Sequence, residues 1–212
     1  VFTLIVASVI YLNTDFLSEL TDGSTRMEEV FRHALFQVVS IITTTGYATA
    51  DYTTWGYFMS FIFFLFLFSG GSAGSTSGGI KIIRIIIIIK NGLLEFKRRL
   101  HPNAVIPVML NGSAISNQII YNLLAFIFLY LFIFTVGSIL LTALGVDFLT
   151  SISAVASAVG NVGPGIAQVS PSYSFDHIPL LGKWILSLLM LMGRLELFTV
   201  CLIFTPYFWK RI

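Results

Sequence analysis

The sequence predicts an all-α membrane protein built from two repeats of transmembrane helix, re-entrant pore loop and transmembrane helix. Three observations carry this expectation. Hydrophobic residues make up 56% of the 212 and charged ones 10%, with a mean hydropathy of +0.90, whereas soluble domains are about 25% charged. Apolar runs long enough to cross a bilayer alternate with runs too short to do so. Each short run ends in a polar stretch that contains glycine.

Val1–Leu12 is apolar from its first residue, with no Met and no basic leader. It reads as the stub of a span rather than a signal peptide, so the chain is expected to be the C-terminal part of a larger protein. Val30–Ile42 follows. At ~1.5 Å per residue it is too short for a hydrocarbon core of about 30 Å, and it runs into Thr43-Thr44-Thr45-Gly46-Tyr47. Trp55–Lys90 is long enough, but Ser69–Gly79, made mainly of Gly, Ser and Thr, interrupts it. Tyr121–Leu144 is an uncharged span. Phe148–Val159 is again short and enters Gly160-Asn161-Val162-Gly163-Pro164-Gly165. Leu180–Trp209 reads as a continuous last span, with Arg194 near its middle and Glu196 beside it.

A half-length helix followed by irregular backbone is the pattern of a re-entrant loop, which a membrane tolerates only where protein or water surrounds it. The two halves also match. A shift of 117 positions places Phe31 on Phe148, Ser40 on Ser157 and Gly46 on Gly163. Two copies of one unit are expected, residues 1–112 and 113–212, with the glycine-rich segment 69–79 inside the first.

Charge orients the unit. Lys81, Arg84, Lys90, Lys97, Arg98, Arg99, Lys210 and Arg211 lie on one set of connections. Asp15, Glu19, Asp22, Glu28, Glu29, Asp51, Asp147 and Asp176 lie on the other. The positive-inside rule puts the first set, including a Lys/Arg-rich loop 81–101, in the cytoplasm. Both re-entrant loops then open to the outside. An acidic outer face would concentrate cations there, although such acids also serve simply as a solvated rim.

Several function classes drop out. A net charge of +2 without a basic stripe gives no nucleic-acid surface. Cys201 is the only cysteine, so neither a disulfide within the chain nor a Cys-based metal cage can form. His33, His101 and His177 lie far apart, each expected near a segment end, and offer no metal site. No phosphate-binding glycine motif occurs. Asn111-Gly112-Ser113 fits a glycosylation acceptor but falls on the predicted cytoplasmic side.

The loops carry the chemistry. An ion stripped of water needs substitute oxygens, and rings of backbone carbonyls supply them. Glycine permits the bending this requires, and a short helix before the loop aims its negative C-terminal end at the site. Thr45-Gly46-Tyr47 resembles the core of the Thr-Val-Gly-Tyr-Gly potassium filter. A single such tripeptide would be an ordinary turn, but two such loops at matching positions favour a filter. Ser69–Gly79 is either a gate beneath it or a kink that lets helices pack closely. Gly70-Gly71-Ser72-Ala73-Gly74 also fits the nucleophile elbow of hydrolases, which needs a strand before it and a helix after it. Arg194, costly inside a span, must face pore water, gate carbonyls or a partner charge.

Taken together, Thr43–Tyr47, Gly70–Lys81 (GGSAGSTSGGIK), Gly160–Gly165 (GNVGPG), Gly193–Thr199 (GRLELFT) and Phe204–Arg211 (FTPYFWKR) resemble the C-terminal half of the Trk-type potassium uptake proteins of the Trk/Ktr/HKT superfamily. The resemblance implies half of a four-repeat, potassium-channel-like pore in a bacterial inner membrane. Potassium is then the transported ion, with no organic cofactor in this chain. By motif, Thr44, Thr45 and Gly46 line the filter on one side, and Asn161, Val162 and Gly163 on another. Gly70, Gly71, Gly74, Ser75, Thr76, Gly78 and Gly79 form an intramembrane gate, with Arg194 as a barrier below the filter. A homodimer and a cytosolic, ring-forming, nucleotide-binding regulator (TrkA-like) are implied partners. The second loop reads Asn-Val-Gly-Pro instead of Thr-Val-Gly-Tyr, so some sodium or rubidium passage is expected. The alternatives are a cation-coupled symporter and, in a different class, an intramembrane serine hydrolase using Ser72 or Ser75.

Overall fold

A computed structural model describes residues 2–12, 26–72, 74–75, 77–101, 103–104, 106–195, 197–203 and 206–209. Asp15, Glu19, Asp22, Ala73, Thr76, Glu196, Lys210 and Arg211 lie outside the described residues.

The chain is mostly helical. Helix α1 is Phe2–Leu12 and α2 is Arg26–Ile42. A 3-10 turn, Tyr52–Trp55, leads into α3, Tyr57–Phe68. Helix α4, Ile82–Leu100, ends the first half. In the second half α5 is Asn117–Ala143, α6 is Phe148–Gly160 and α7 is Leu180–Arg194. Two short helices follow, α8 (Leu197–Ile203) and α9 (Pro206–Trp209).

Among the described residues, α5 alone is long and apolar enough to cross a membrane, and 28% of its most apolar stretch is buried within the protein. A core helix of a soluble protein would be largely covered. Here Tyr121, Phe128, Phe132 and Ile139 are exposed, as lipid-facing side chains are. Helix α6 is the opposite case. Thr150, Ser151 and every residue from Ser153 to Gly160 are buried, and its Ser, Ala and Gly content lets α3, α5 and α7 close around it. The Asp147 carboxylate starts α6 by accepting from the N–H groups of Leu149 and Thr150.

Four expectations need correction. The last span is not continuous, because α7 stops at Arg194 and the chain restarts as α8 at Leu197. A Cβ on Gly193 would overlap the Val159 carbonyl, so the end of α7 packs directly onto α6. Arg194 is therefore at a helix C-terminus, not in the middle of one continuous helix. The basic segment 81–101 is not a loop but mostly helix α4, with Lys97, Arg98 and Arg99 in its last turn, where cations complement the helix dipole. His33 lies inside α2 rather than at a segment end.

Two small sheets also depart from an all-helical expectation. Ser69–Gly70 (β1) pairs in parallel with Ile80–Lys81 (β2). Val108–Leu110 (β3) and Ser113–Ile115 (β4) form a hairpin. Its turn is Asn111-Gly112, with φ of 48° and 83°, the residue pair that two-residue hairpins favour. The hairpin is tied down on α4. Arg98 donates from Nε and Nη2 to the Ile106 carbonyl, Lys90 Nζ donates to Met109, and Val108 is buried with Ile87 and Ile120.

Candidate functional site

Helix α2 ends at Ile42 and the backbone bends at once. Thr44 (φ 55°) and Gly46 (φ 80°) are both left-handed. The N–H of Thr44 donates to the Ile41 carbonyl at 3.1 Å, and that of Thr45 to Ser40 at 2.8 Å. Ser40 Oγ donates across the bend to the Tyr47 carbonyl at 2.6 Å, and Gln37 Nε2 to Ala50 at 2.6 Å.

The second loop turns the same way after α6. Asn161 (φ 55°) and Gly163 (φ 114°) are left-handed. The N–H of Asn161 donates to Ala158 at 3.1 Å, and that of Val162 to Ser157 at 3.0 Å. Ser157 Oγ donates to the Gly163 carbonyl at 2.7 Å and accepts from the Gly163 N–H at 3.1 Å. Ser40 and Ser157, Thr44 and Asn161, and Gly46 and Gly163 thus hold corresponding places, each pair 117 positions apart.

The two loops touch. A Cβ on Gly46 would overlap the carbonyl oxygen of Val162 and sit 3.3 Å from Pro164 Cδ. Beside this contact Gly46, Tyr47, Ala48, Gly163, Pro164 and Ser170 line an open cavity of about 340 Å³.

Glycines also crowd the base of the second loop. Cβ atoms on Gly78, Gly160 and Gly193 would overlap the carbonyl oxygens of Gly160, Leu67 and Val159 respectively. Asn161 Nδ2 donates to the Met190 carbonyl at 2.9 Å. The end of α6 is therefore boxed in by residues of the 71–79 segment, α3 and α7.

The described residues of that segment form a loop closed by the β1–β2 pairing. The Gly71 N–H donates to Ser77 Oγ at 2.8 Å, Ser75 and Ser77 hydroxyls lie 2.7 Å apart, and the Ile82 N–H donates to the Gly71 carbonyl at 3.3 Å. Its glycines are not equivalent. Gly70 and Gly78 are packed against backbone, Gly71 against Ser75 and Ser77, and Gly79 has φ of 70°, while Gly74 has open space. Thr76 lies outside the described residues. A cavity of about 340 Å³ beside this loop is lined by Ser75, Ser77, Gly79, Lys81, Arg84 and Arg194. Arg84 stacks on Phe126, 4.1 Å from the ring centroid. Sequence reasoning placed Arg194 with the loop, and the structure brings them to one cavity.

The nucleophile elbow does not form. Two strand residues precede Gly71, but no helix follows until Ile82. The Ser75 hydroxyl donates to the Ser72 carbonyl, and none of the described residues lining the cavity is a histidine. Among the described residues no His, Cys, Asp and Glu group could hold a metal ion.

Two residues behind the loops were not singled out as site residues. Tyr52, fully buried, donates its hydroxyl to the Gly165 carbonyl. Asp51 Oδ2 accepts from Ser170 Oγ at 2.9 Å, and Asp51 Oδ1 accepts from the N–H and hydroxyl of Thr53. Burial alone would raise the Asp51 pKa, but donors from Ser172, Thr53 and Ser170 together bring it below the ordinary carboxylate value. Burial and the neighbouring Asp51 carboxylate both push the Tyr52 phenol up, so it stays a proton donor.

The chain matches the family described as "TrkH: Cation transport protein" over residues 1–211. It belongs to that family. Within the TrkH family it is 43% identical to the Trk system potassium uptake protein TrkH of Halomonas elongata, over 85% of this chain and 37% of that protein. It is 39% identical to TrkH of Escherichia coli K12, over 84% of this chain and 36% of that one. The crystal structure of the potassium transporter TrkH from Vibrio parahaemolyticus superposes with a TM-score of 0.85 at 36% identity, covering 99% of this chain and 43% of that chain. The chain therefore spans well under half of the TrkH proteins it matches.

Proposed function

We propose that this chain supplies two pore repeats, residues 1–112 and 113–212, of a membrane potassium transporter whose remaining repeats complete the pore. The direct contact of Gly46 with Val162 carries the reading. It joins two left-handed glycine-bearing loops, each at the C-terminal end of a short helix. Those helix ends present partial negative charge to a cation, and no covalent chemistry is needed. The relatives named above are potassium uptake proteins, which favours potassium over other cations and a transporter over a hydrolase.

In this reading carbonyls of Thr44, Thr45 and Gly46 and of Asn161, Val162 and Gly163 face the ion. The 71–79 loop, pressed by Gly78 against the base of the second filter loop, is the gate. Arg194 sets a positive barrier beside it. The loops open outward and the basic C-terminal end of α4 lies on the cytoplasmic side of a bacterial inner membrane. Conduction is channel-like in this reading, because Glu196, outside the described residues, is the only acid within the apolar runs expected to span the membrane. The working assembly is a dimer regulated by a cytosolic nucleotide-binding ring.

The test is anomalous scattering from rubidium or thallium in crystals of the full-length protein. A peak between residues 43–48 and 160–165 is expected. A protein active in uptake but with its ion peaks elsewhere would sink the assignment.

A further inference from the structure

Sequence gives no reason for residues after the first loop to touch the second, yet two polar ties between the halves lie there. Tyr52 and Gly165 are 113 positions apart, and Asp51 and Ser170 are 119 apart. Both ties run from the segment behind the first loop to the segment behind the second.

Each tie is held firmly at both ends. The Tyr52 ring stacks on Phe63 with centroids 4.5 Å apart, and Phe63 packs edge-on against Trp55 and Phe66. Met59, Phe63 and Leu67 of α3 are fully buried around it. The phenol therefore has one position from which to reach its acceptor. On the other side, the Gly165 N–H donates to the Val169 carbonyl at 2.7 Å, and the neighbouring Ile166 N–H donates to the buried Ser153 Oγ. Gly165 is packed so closely that a Cβ would lie 2.5 Å from that hydroxyl. Asp51 caps the turn that carries Tyr52 by accepting from the Thr53 N–H, and holds Ser170, 2% exposed, with its other oxygen.

We propose that Tyr52 and Asp51 are positioning residues for ion selectivity: they fix the second filter loop from the first half of the chain and so set the spacing between the two loops. This rests on the filter reading above. Discrimination between cations of different radius depends on how firmly the oxygens are held. A phenol that fixes one end of the Gly160–Gly165 segment acts on that firmness without touching the ion. Ser157 fixes the Gly163 carbonyl from within the same repeat, whereas the Tyr52 and Asp51 ties cross between the halves.

The test uses the full-length protein in liposomes, with potassium and sodium flux measured on the same preparation. Tyr52→Phe removes one oxygen and keeps the ring. Loss of a single hydrogen bond to a buried carbonyl is worth about one order of magnitude in an equilibrium, so the potassium-to-sodium flux ratio is expected to fall roughly three- to tenfold. Ser170→Ala, which cuts the second tie, should lower the ratio in the same direction. A role in folding alone would lower the amount of protein and leave the ratio of the folded fraction unchanged. A wild-type ratio in both variants overturns the proposal. If Tyr52→Phe fails to fold, the Ser170→Ala ratio decides. Gly46→Val on the same footing separates the two ideas: lost transport there with wild-type selectivity in Tyr52→Phe rejects the clamp and keeps the filter.

Discussion

Gly46 presses its Cα face onto the carbonyl oxygen of Val162, leaving no room for a side chain. Its φ of 80° would strain any other residue as well. Gly46→Val in the full-length protein is expected to abolish potassium uptake while membrane insertion persists. Rubidium uptake, normalised to protein in the membrane fraction, measures this. Unchanged uptake would show that the loop lies off the ion path.

The glycines of the 71–79 loop should separate by their surroundings. Gly78→Ala forces a methyl into the Gly160 carbonyl and Asn161, whereas Gly74→Ala meets nothing within 4 Å. Uptake is expected to collapse in the first and persist in the second. A matched thermal-unfolding series would show the same order. Equal behaviour of the two variants would contradict the packing described.

Arg194 ends α7 and shares a cavity with Ser75, Ser77 and Gly79. Replacing it by Gln removes the positive charge from the proposed pathway. Single-channel or flux measurements should show raised cation conductance. Loss of a cation at a helix C-terminus costs only about 0.3–1 kcal/mol, so stability should change little. A fall in conductance would argue against a barrier.

Asp51 has its pKa lowered in the folded protein, because hydrogen-bond donors outweigh burial. The linked stability is thus present above the unfolded value of 3.8 and is lost as pH falls through the folded pKa. Asp51→Asn should unfold more readily than wild type at neutral pH, and the gap should close in acid. Melting temperatures across pH 2 to 7, a range that brackets the ordinary carboxylate pKa of about 3.9, test it. A gap independent of pH would remove the charge from the account.

The sequence revealed the helix before each glycine loop, although α2 begins at Arg26, four residues before the expected Val30, and is longer than α3 and α7. It also revealed the interruption at Ser69–Gly79, where composition changes abruptly. It hid the break after Arg194, since Leu195 and Leu197 keep the run apolar. Helix α4 was obscured by its charge, which suggested an exposed connection. Asn111-Gly112 carried a hairpin signal that a modification motif overlay. The ties from Asp51 and Tyr52 to the second loop could not be read at all, because they join residues more than 100 positions apart.

The parallel pairing of Ser69–Gly70 with Ile80–Lys81 brings the chain back to the level at which it left. Residues 71–79 are thus an excursion hung from a closed neck. Rearrangement within that excursion does not require α3 and α4 to separate, tilt or slide against lipid. Its length is also uncoupled from the span it interrupts. If the excursion is the proposed gate, ion passage can be adjusted, over one opening event or over evolutionary time, by remodelling the excursion while the anchoring scaffold stays fixed.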